Sequence, residues 1–152
     1  MMILWTEKFA TGSAKLDKQH QLLIDNINLL GELLHTTNPT PLELDFTFNL
    51  VDYLEAYANV HFNAEERCME SFRCPVYAQN EREHARFRGF VRDYKRRCEA
   101  EGFQVELLHH LHKAMRTWIE EHILKIDTQL RACIPPARQS GAGAAPEPPA
   151  QS

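Results

Sequence analysis

An all-α fold is what the sequence predicts: an up-down-up-down four-helix bundle with an N-terminal arm and a disordered C-terminal tail. Three observations carry it. Apolar residues recur at steps of three and four through four long stretches. Those stretches are parted by short segments bearing proline or glycine, and short connections favour antiparallel neighbours. Val, Ile and Thr never alternate over the length a strand needs. A chain of 152 residues, 43% apolar and 25% charged, suffices for one packed domain, and residues 1–134 are assigned to it.

The first helix is expected over about 17–37, where Leu16, Leu22, Leu23, Ile27, Leu30 and Leu34 share a face before the breakers Pro39 and Pro41. A second, about 41–70, sets Leu44, Phe48, Val51, Leu54, Ala58, His61, Glu65 and Met69 along one broad face. Pro75 ends it and suits the first turn of a third, about 76–100, with Tyr77, Asn80, His84, Phe87, Val91 and Tyr94 inward and Gly102 behind. The fourth, about 104–132, carries Leu108, Leu111, Met115, Trp118, Ile119, His122 and Ile126 and stops before Pro135 and Pro136. Ahead of the first helix, Trp5 and Phe9 mark an arm packed on the bundle. Residues 135–152, "PPARQSGAGAAPEPPAQS", have nothing to bury, and their five prolines lock out a helix, so they are expected to be disordered.

Charge and composition exclude several roles. A net charge of −4 and a pI near 6.1 offer no basic footprint for nucleic acid or anionic lipid. No apolar run approaches about 18 residues, and "MMILWTEKFATGSAK" lacks a basic segment followed by a long apolar one, so a cytoplasmic protein without a membrane span is expected. Cys68, Cys74, Cys98 and Cys133 lack paired CxxC spacing and are expected to be reduced thiols; Cys68 and Cys74 match no favoured zinc pair.

His61 and Glu65, four apart, project from the same face of the second helix, and that face is the apolar one. A core glutamate costs several kcal/mol in desolvation unless it is paired or coordinates a cation. One such pair is ordinarily a surface His–Glu contact. Here the anomaly repeats: His20, His84 and His122 lie on the inner faces of the other three helices. Four inward histidines and a glutamate on separate helices argue for a shared guest, and imidazole with carboxylate suits iron, zinc or manganese. Asp127 is five beyond His122, about 140° round an ideal helix, so spacing alone leaves it outside the cluster. His35, His109, His110 and His112 are read as surface residues; His112 is ten before His122, about 15 Å along the axis. No acid–base pair or substrate site is visible, so a dedicated enzyme is not expected.

These residues resemble the hemerythrin family, bacterial type: Trp5, Phe9 and Gly12 in the arm, "LDKQH" at 16–20, "HFNAEERCME" at 61–70, "EHARF" at 83–87 and "WIEEHILKID" at 118–127. The resemblance covers about residues 3–132. It implies two iron ions (Fe2+/Fe3+), oxo- or hydroxo-bridged, that bind O2 or another small diatomic ligand reversibly. It further implies that His20 and His61 hold one iron and His84 and His122 the other, with Glu65 and Asp127 bridging. Leu23, Met69, Trp118, Ile119 and Ile123 match positions that wall the O2 pocket in the family, although ordinary core packing explains each equally well. The sequence departs from the pattern on the third helix, where the first member of an HxxxH pair is Asn80. Asn80 then acts as a weak amide-oxygen ligand or holds a water, and an open second position suits a redox protein or enzyme acting on O2, peroxide or nitric oxide. Loss of one metal would instead leave a mononuclear or interaction module. Glu81 and Glu83 point aside as solvated charges, and Tyr77 packs in the core.

Overall fold

The computed structural model describes residues 1–139. Four long helices account for most of them: α1 (Ala14–Leu34), α2 (Pro41–Ser71), α3 (Tyr77–Glu101) and α4 (Val105–Lys125). α1 packs on α2 and α4, and α3 packs on α2 and α4, which closes the expected bundle. Two short helices follow, α5 (Leu130–Cys133) and α6 (Pro136–Gln139).

Each long helix starts and stops where local chemistry dictates. Ser13 caps α1, its hydroxyl accepting the Leu16 N–H at 3.3 Å. Thr40 and Glu43 form a reciprocal capping box at the head of α2, with Pro41 in the first turn. The α2–α3 turn is tight enough to hold Arg73 at φ 50°, and α3 ends at Gly102 with φ 78°, where a side chain would be strained.

The fourth helix departs from expectation. It stops at Lys125; Ile126 turns out of line and Asp127–Gln129 form a single 3₁₀ turn before α5. Side chains take over the carbonyls that a continuing helix would use. Thr128 Oγ1 donates to the Leu124 carbonyl at 2.9 Å, and Gln129 Nε2 donates to that of Lys125 at 2.7 Å.

The arm lies on the bundle, with Phe9 buried and Trp5 stacked on it at 5.6 Å. One of its anchors is not revealed by periodicity. Asn28 on α1 accepts the Ile3 N–H at 2.9 Å and donates to the Ile3 carbonyl at 2.8 Å. Arg131 on α5 ties the other end of the arm through the carbonyls of Glu7 and Ala10.

Two expectations need correction. Cys74 and Cys133 are not free thiols: the α2–α3 turn and α5 bring them together as a disulfide with Cα atoms 5.6 Å apart, within the ordinary range. They are 59 residues apart, and local spacing cannot detect such a contact. Cys68 and Cys98 are free. Nor does the helical structure end at residue 134, since Pro136 begins α6; proline is excluded from helix interiors but not from the first turn. The rest of the expected tail, 140–152, lies outside the described residues. Among the described residues no helix is long and apolar enough to cross a membrane.

The core has two apolar parts. A large one fills the bundle from Leu23 and Ile27 through Leu54, Val91 and Met115. A smaller one, with Leu16, Met69, Val76, Ile126 and Leu130, seals the end that holds the disulfide. Phe62 and Ile123 of the first are chain neighbours of buried His61 and His122, and Met69 of the second stands one helical turn from buried Glu65. A polar cluster thus has apolar packing on both sides.

Candidate metal centre

His20 on α1, His61 and Glu65 on α2, His84 on α3, His122 on α4 and Asp127 after it are all buried. Their ligand-type atoms fall into two groups, His20–His61–Glu65–Asp127 and Glu65–His84–His122–Asp127, each with its atoms within 4.8 Å of one another. The carboxylates belong to both groups and divide their oxygens between them. Glu65 Oε2 lies 3.1 Å from His20 Nε2 and 3.2 Å from His61 Nε2, whereas Oε1 lies 3.1 Å from His84 Nε2. Asp127 Oδ2 lies 3.2 Å from His20 Nε2, and Oδ1 lies 3.0 Å from His122 Nε2.

Helical spacing accounts for His61 and Glu65, one turn apart. Asp127 enters for a different reason. A continuous α4 would have aimed it aside, and the break at Ile126 swings it under His122 and His20.

The imidazoles are oriented from behind. His61 Nδ1–H donates to Gln19 Oε1 at 2.8 Å, and His84 Nδ1–H donates to Glu66 Oε1 at 2.8 Å. In both rings this turns the Nε2 lone pair toward the cluster. Gln19 and Glu66 were not foreseen. Each is the chain neighbour of an inward residue, and asking what the second nitrogen of each core histidine meets would have raised them as candidates. Phe62, also missed, stacks on His84 with centroids 3.9 Å apart, as Trp118 stacks on His122 at 4.2 Å.

Without a metal the cluster is strongly polarised. Burial alone would depress His20, but hydrogen bonding and charge from Asp127 and Glu65 outweigh it and push the imidazole up to about 10. His122, also opposed by burial, is raised to about 9 by the same two carboxylates. Burial and the neighbouring His20 lower His61. Glu65 is buried yet held well below the usual carboxylate range by the surrounding imidazoles.

The donor set fits a transition metal. His122 Nε2 and both Asp127 oxygens are buried without a hydrogen bond of good geometry, although they face one another. Buried polar atoms that converge without bonding point to a missing cation, and mixed imidazole and carboxylate donors suit iron.

Asn80 is fully buried beside Glu65. Its Nδ2 donates to Glu65 Oε1 at 3.1 Å, and its Oδ1 has no partner. Leu23, Ile119 and Ile123 belong to the apolar packing on one side and Met69 to that on the other. Tyr77 packs against the smaller core, Glu81 is exposed, and Glu83 pairs with Arg86 at 3.0 Å. His35, His109 and His110 are exposed, but His112 is not a surface residue: it is half-buried, donates to the Ile27 carbonyl at 3.1 Å and packs on Gly31, where a Cβ would come within 2.8 Å of the ring.

Known proteins bear on this arrangement. The family model described as "Hemerythrin HHE cation binding domain" matches residues 11–134. A bacteriohemerythrin of Methylococcus capsulatus is 25% identical over 134 residues, covering 88% of this chain and 97% of that protein. A second, from Clostridium acetobutylicum, is 27% identical over 128 residues, covering 84% and 98%. With a four-helix bundle that gathers buried histidines and carboxylates at its centre, the chain belongs to the hemerythrin family of iron-binding proteins.

Proposed function

We propose that this chain holds two iron ions and binds O2 reversibly, for storage, delivery or sensing. The observation that carries the reading is the division of oxygens: Glu65 and Asp127 each turn one oxygen to the His20–His61 side and the other to the His84–His122 side. His20 and His61 would hold one ion, His84 and His122 the other, and the two carboxylates would bridge. When bound, the iron pair supplies the electrons by which O2 is held.

The residues of the chain set the conditions for that chemistry. Gln19 and Glu66 fix the tautomers of His61 and His84. Phe62, Trp118 and the buried side chains of Leu23, Met69, Ile119 and Ile123 exclude water from the centre. A groove of 530 Å³ between α3 and α4 has Trp118 and His122 in its lining and offers a short route for a diatomic ligand. Bringing in metal displaces the protons that Glu65 and Asp127 otherwise hold on His20 and His122.

A second reading rests on Asn80. With an amide where the family pattern has an imidazole, the His84–His122 side has one strong donor fewer, and the unpartnered Oδ1 is placed to accept from a water there. That favours a protein oxidised rapidly by O2, a sensor or redox protein, over a carrier.

Metal analysis after aerobic purification, with a visible spectrum, tests both readings. Two irons per chain are expected, and one metal, or zinc alone, would overturn them. Exposing the reduced protein to O2 then separates them. A spectrum that reverses when O2 is removed supports the carrier, and prompt irreversible oxidation supports the second reading.

A further inference from the structure

The Cys74–Cys133 disulfide closes a loop that contains all of α3 and α4, and with them Asn80, His84, His122 and Asp127. His20, His61 and Glu65 lie outside it. Every residue that the second half of the centre does not draw from α2 is therefore inside the closed loop.

Asp127 stands nearest the closure, six places before Cys133. The 3₁₀ turn Asp127–Gln129 runs straight into α5, so Asp127 and Cys133 ride on one short helical stretch. A stretch of that length does not hold its own shape in water. It is set in place by Ile126, Leu130 and Ile134 in the smaller core, by Arg131 on the arm, and by the disulfide. His61 and His84 are supported differently: both lie within long helices and are fixed from behind by Gln19 and Glu66. Among the described residues neither oxygen of Asp127 has a hydrogen bond of good geometry, so its backbone decides where that carboxylate lies.

The two sulfurs differ in access. Cys74 is buried, and its N–H donates to the Met69 carbonyl at 2.8 Å, which fastens it to the end of α2. Cys133 is half-buried, within reach of an external thiol. Cys68 packs in the same small core, but burial pushes its thiol up to about 11, and a protonated thiol does not attack a disulfide. The bond opens from outside and not by internal exchange.

On the two-iron reading, on which this rests, we propose that the disulfide is a redox latch on Asp127 and through it on the second metal position. Closed, it holds Asp127 against His122; opened by a dithiol, it frees α5 and loosens the ion held there. In the opening step a thiolate of the dithiol attacks Sγ of Cys133, the S–S bond breaks, and the Cys74 sulfur leaves as a thiolate and takes up a proton. The second thiol of the reductant then displaces Cys133 from the mixed disulfide. Two electrons and two protons pass to the chain, which gains two thiols, and the dithiol becomes a disulfide. Glu65 still bridges from α2, so the His20–His61 half is expected to lose less.

Thiol counting, ferrous titration and hydrogen exchange test the latch. The full chain should show two free thiols after exposure to air, and four after the folded protein is treated with excess dithiol. Anaerobic titration with ferrous ion follows, with the latch opened by a phosphine so that no added thiol competes for metal. Affinity for the second ion should fall by about 10–100-fold on opening, and for the first by less. In the metal-free chain, amide exchange over residues 126–134 should quicken by about tenfold or more. Cys74→Ala combined with Cys133→Ala should reproduce the open state without a reductant. Equal affinity for the second ion in the closed and open chains overturns the proposal even if the thermal midpoint drops, because a plain staple would lower it too. A disulfide that resists excess dithiol in the folded chain also overturns it. A closed chain that takes up a single ion fails the two-iron reading instead; exchange over 126–134 then decides the latch on Asp127, supporting it if faster on opening and overturning it if unchanged.

Discussion

The half of the metal centre facing α1 and the half facing α3 and α4 share Glu65 and Asp127, and each has two imidazoles, yet their surroundings differ. In the first, His20 meets His61 edge-on at 4.4 Å, and a neutral amide, Gln19, stands behind His61. In the second, the rings of His84 and His122 lie under Phe62 and Trp118, and a carboxylate, Glu66, stands behind His84. A carboxylate behind an imidazole makes it a stronger donor than an amide does. The half that contains Asn80 thus has the more electron-rich histidine.

Glu65 serves both halves, so its removal should have the largest effect. Glu65→Ala is expected to drop bound iron to near zero and to lower the thermal midpoint of the holoprotein to that of the metal-free chain. Elemental analysis checks it, and retention of two irons would break the bridging assignment. His61→Ala and His84→Ala should each remove one iron at most. If either abolishes both, the halves do not fill independently.

The layer behind the histidines should matter less, and unequally. Glu66→Ala is expected to weaken metal binding at its half by about 10–100-fold, and Gln19→Ala by less. Competition with a chelator reads both, and equal losses would remove the distinction between the halves. Proton release gives a related test. His20, raised to about 10, and His122, raised to about 9, are both cationic in the metal-free chain at pH 7, one in each half. Metal uptake should release about two protons, and affinity should rise with pH. The sign for the metal-free chain follows from the same shifts. These imidazoles bind protons more tightly folded than unfolded, so their contribution to stability is full below about pH 6.5 and is lost as pH climbs through 9 to 10. A denaturation midpoint that is flat over that range would contradict it.

How much of this was legible in the sequence depends on the range of the interaction. The four long helices follow from periodicity and breakers, and His20, His61, Glu65, His84 and His122 stand out as polar residues on apolar stripes. These are signals within one helix. Asp127 was not legible from spacing, because an ideal helix was assumed where Thr128 and Gln129 capture the terminal carbonyls. The resemblance to a family supplied that residue, and the break in α4 gives the reason. The Cys74–Cys133 pairing, the Asn28 clamp on Ile3 and the burial of His112 against Gly31 escaped for one cause: each joins segments far apart in sequence, and no local pattern encodes them.

Asn80 offers the finest test, since it separates what a residue donates from where it sits. Its Nδ2 donates to Glu65 Oε1, the oxygen that also faces His84, while Oδ1 has no partner. Asn80→His should add an imidazole to the second half and slow oxidation of the reduced protein by O2, by about tenfold if one nitrogen donor is worth a typical outer-partner effect or slightly more. Asn80→Ala removes both the tether and the acceptor and should leave iron content near that of the wild type. The pair of variants discriminates. If histidine slows oxidation and alanine does not, the second half of this centre is short of a donor. If both slow it equally, the amide acts by holding water at the site, and a missing ligand is not the cause.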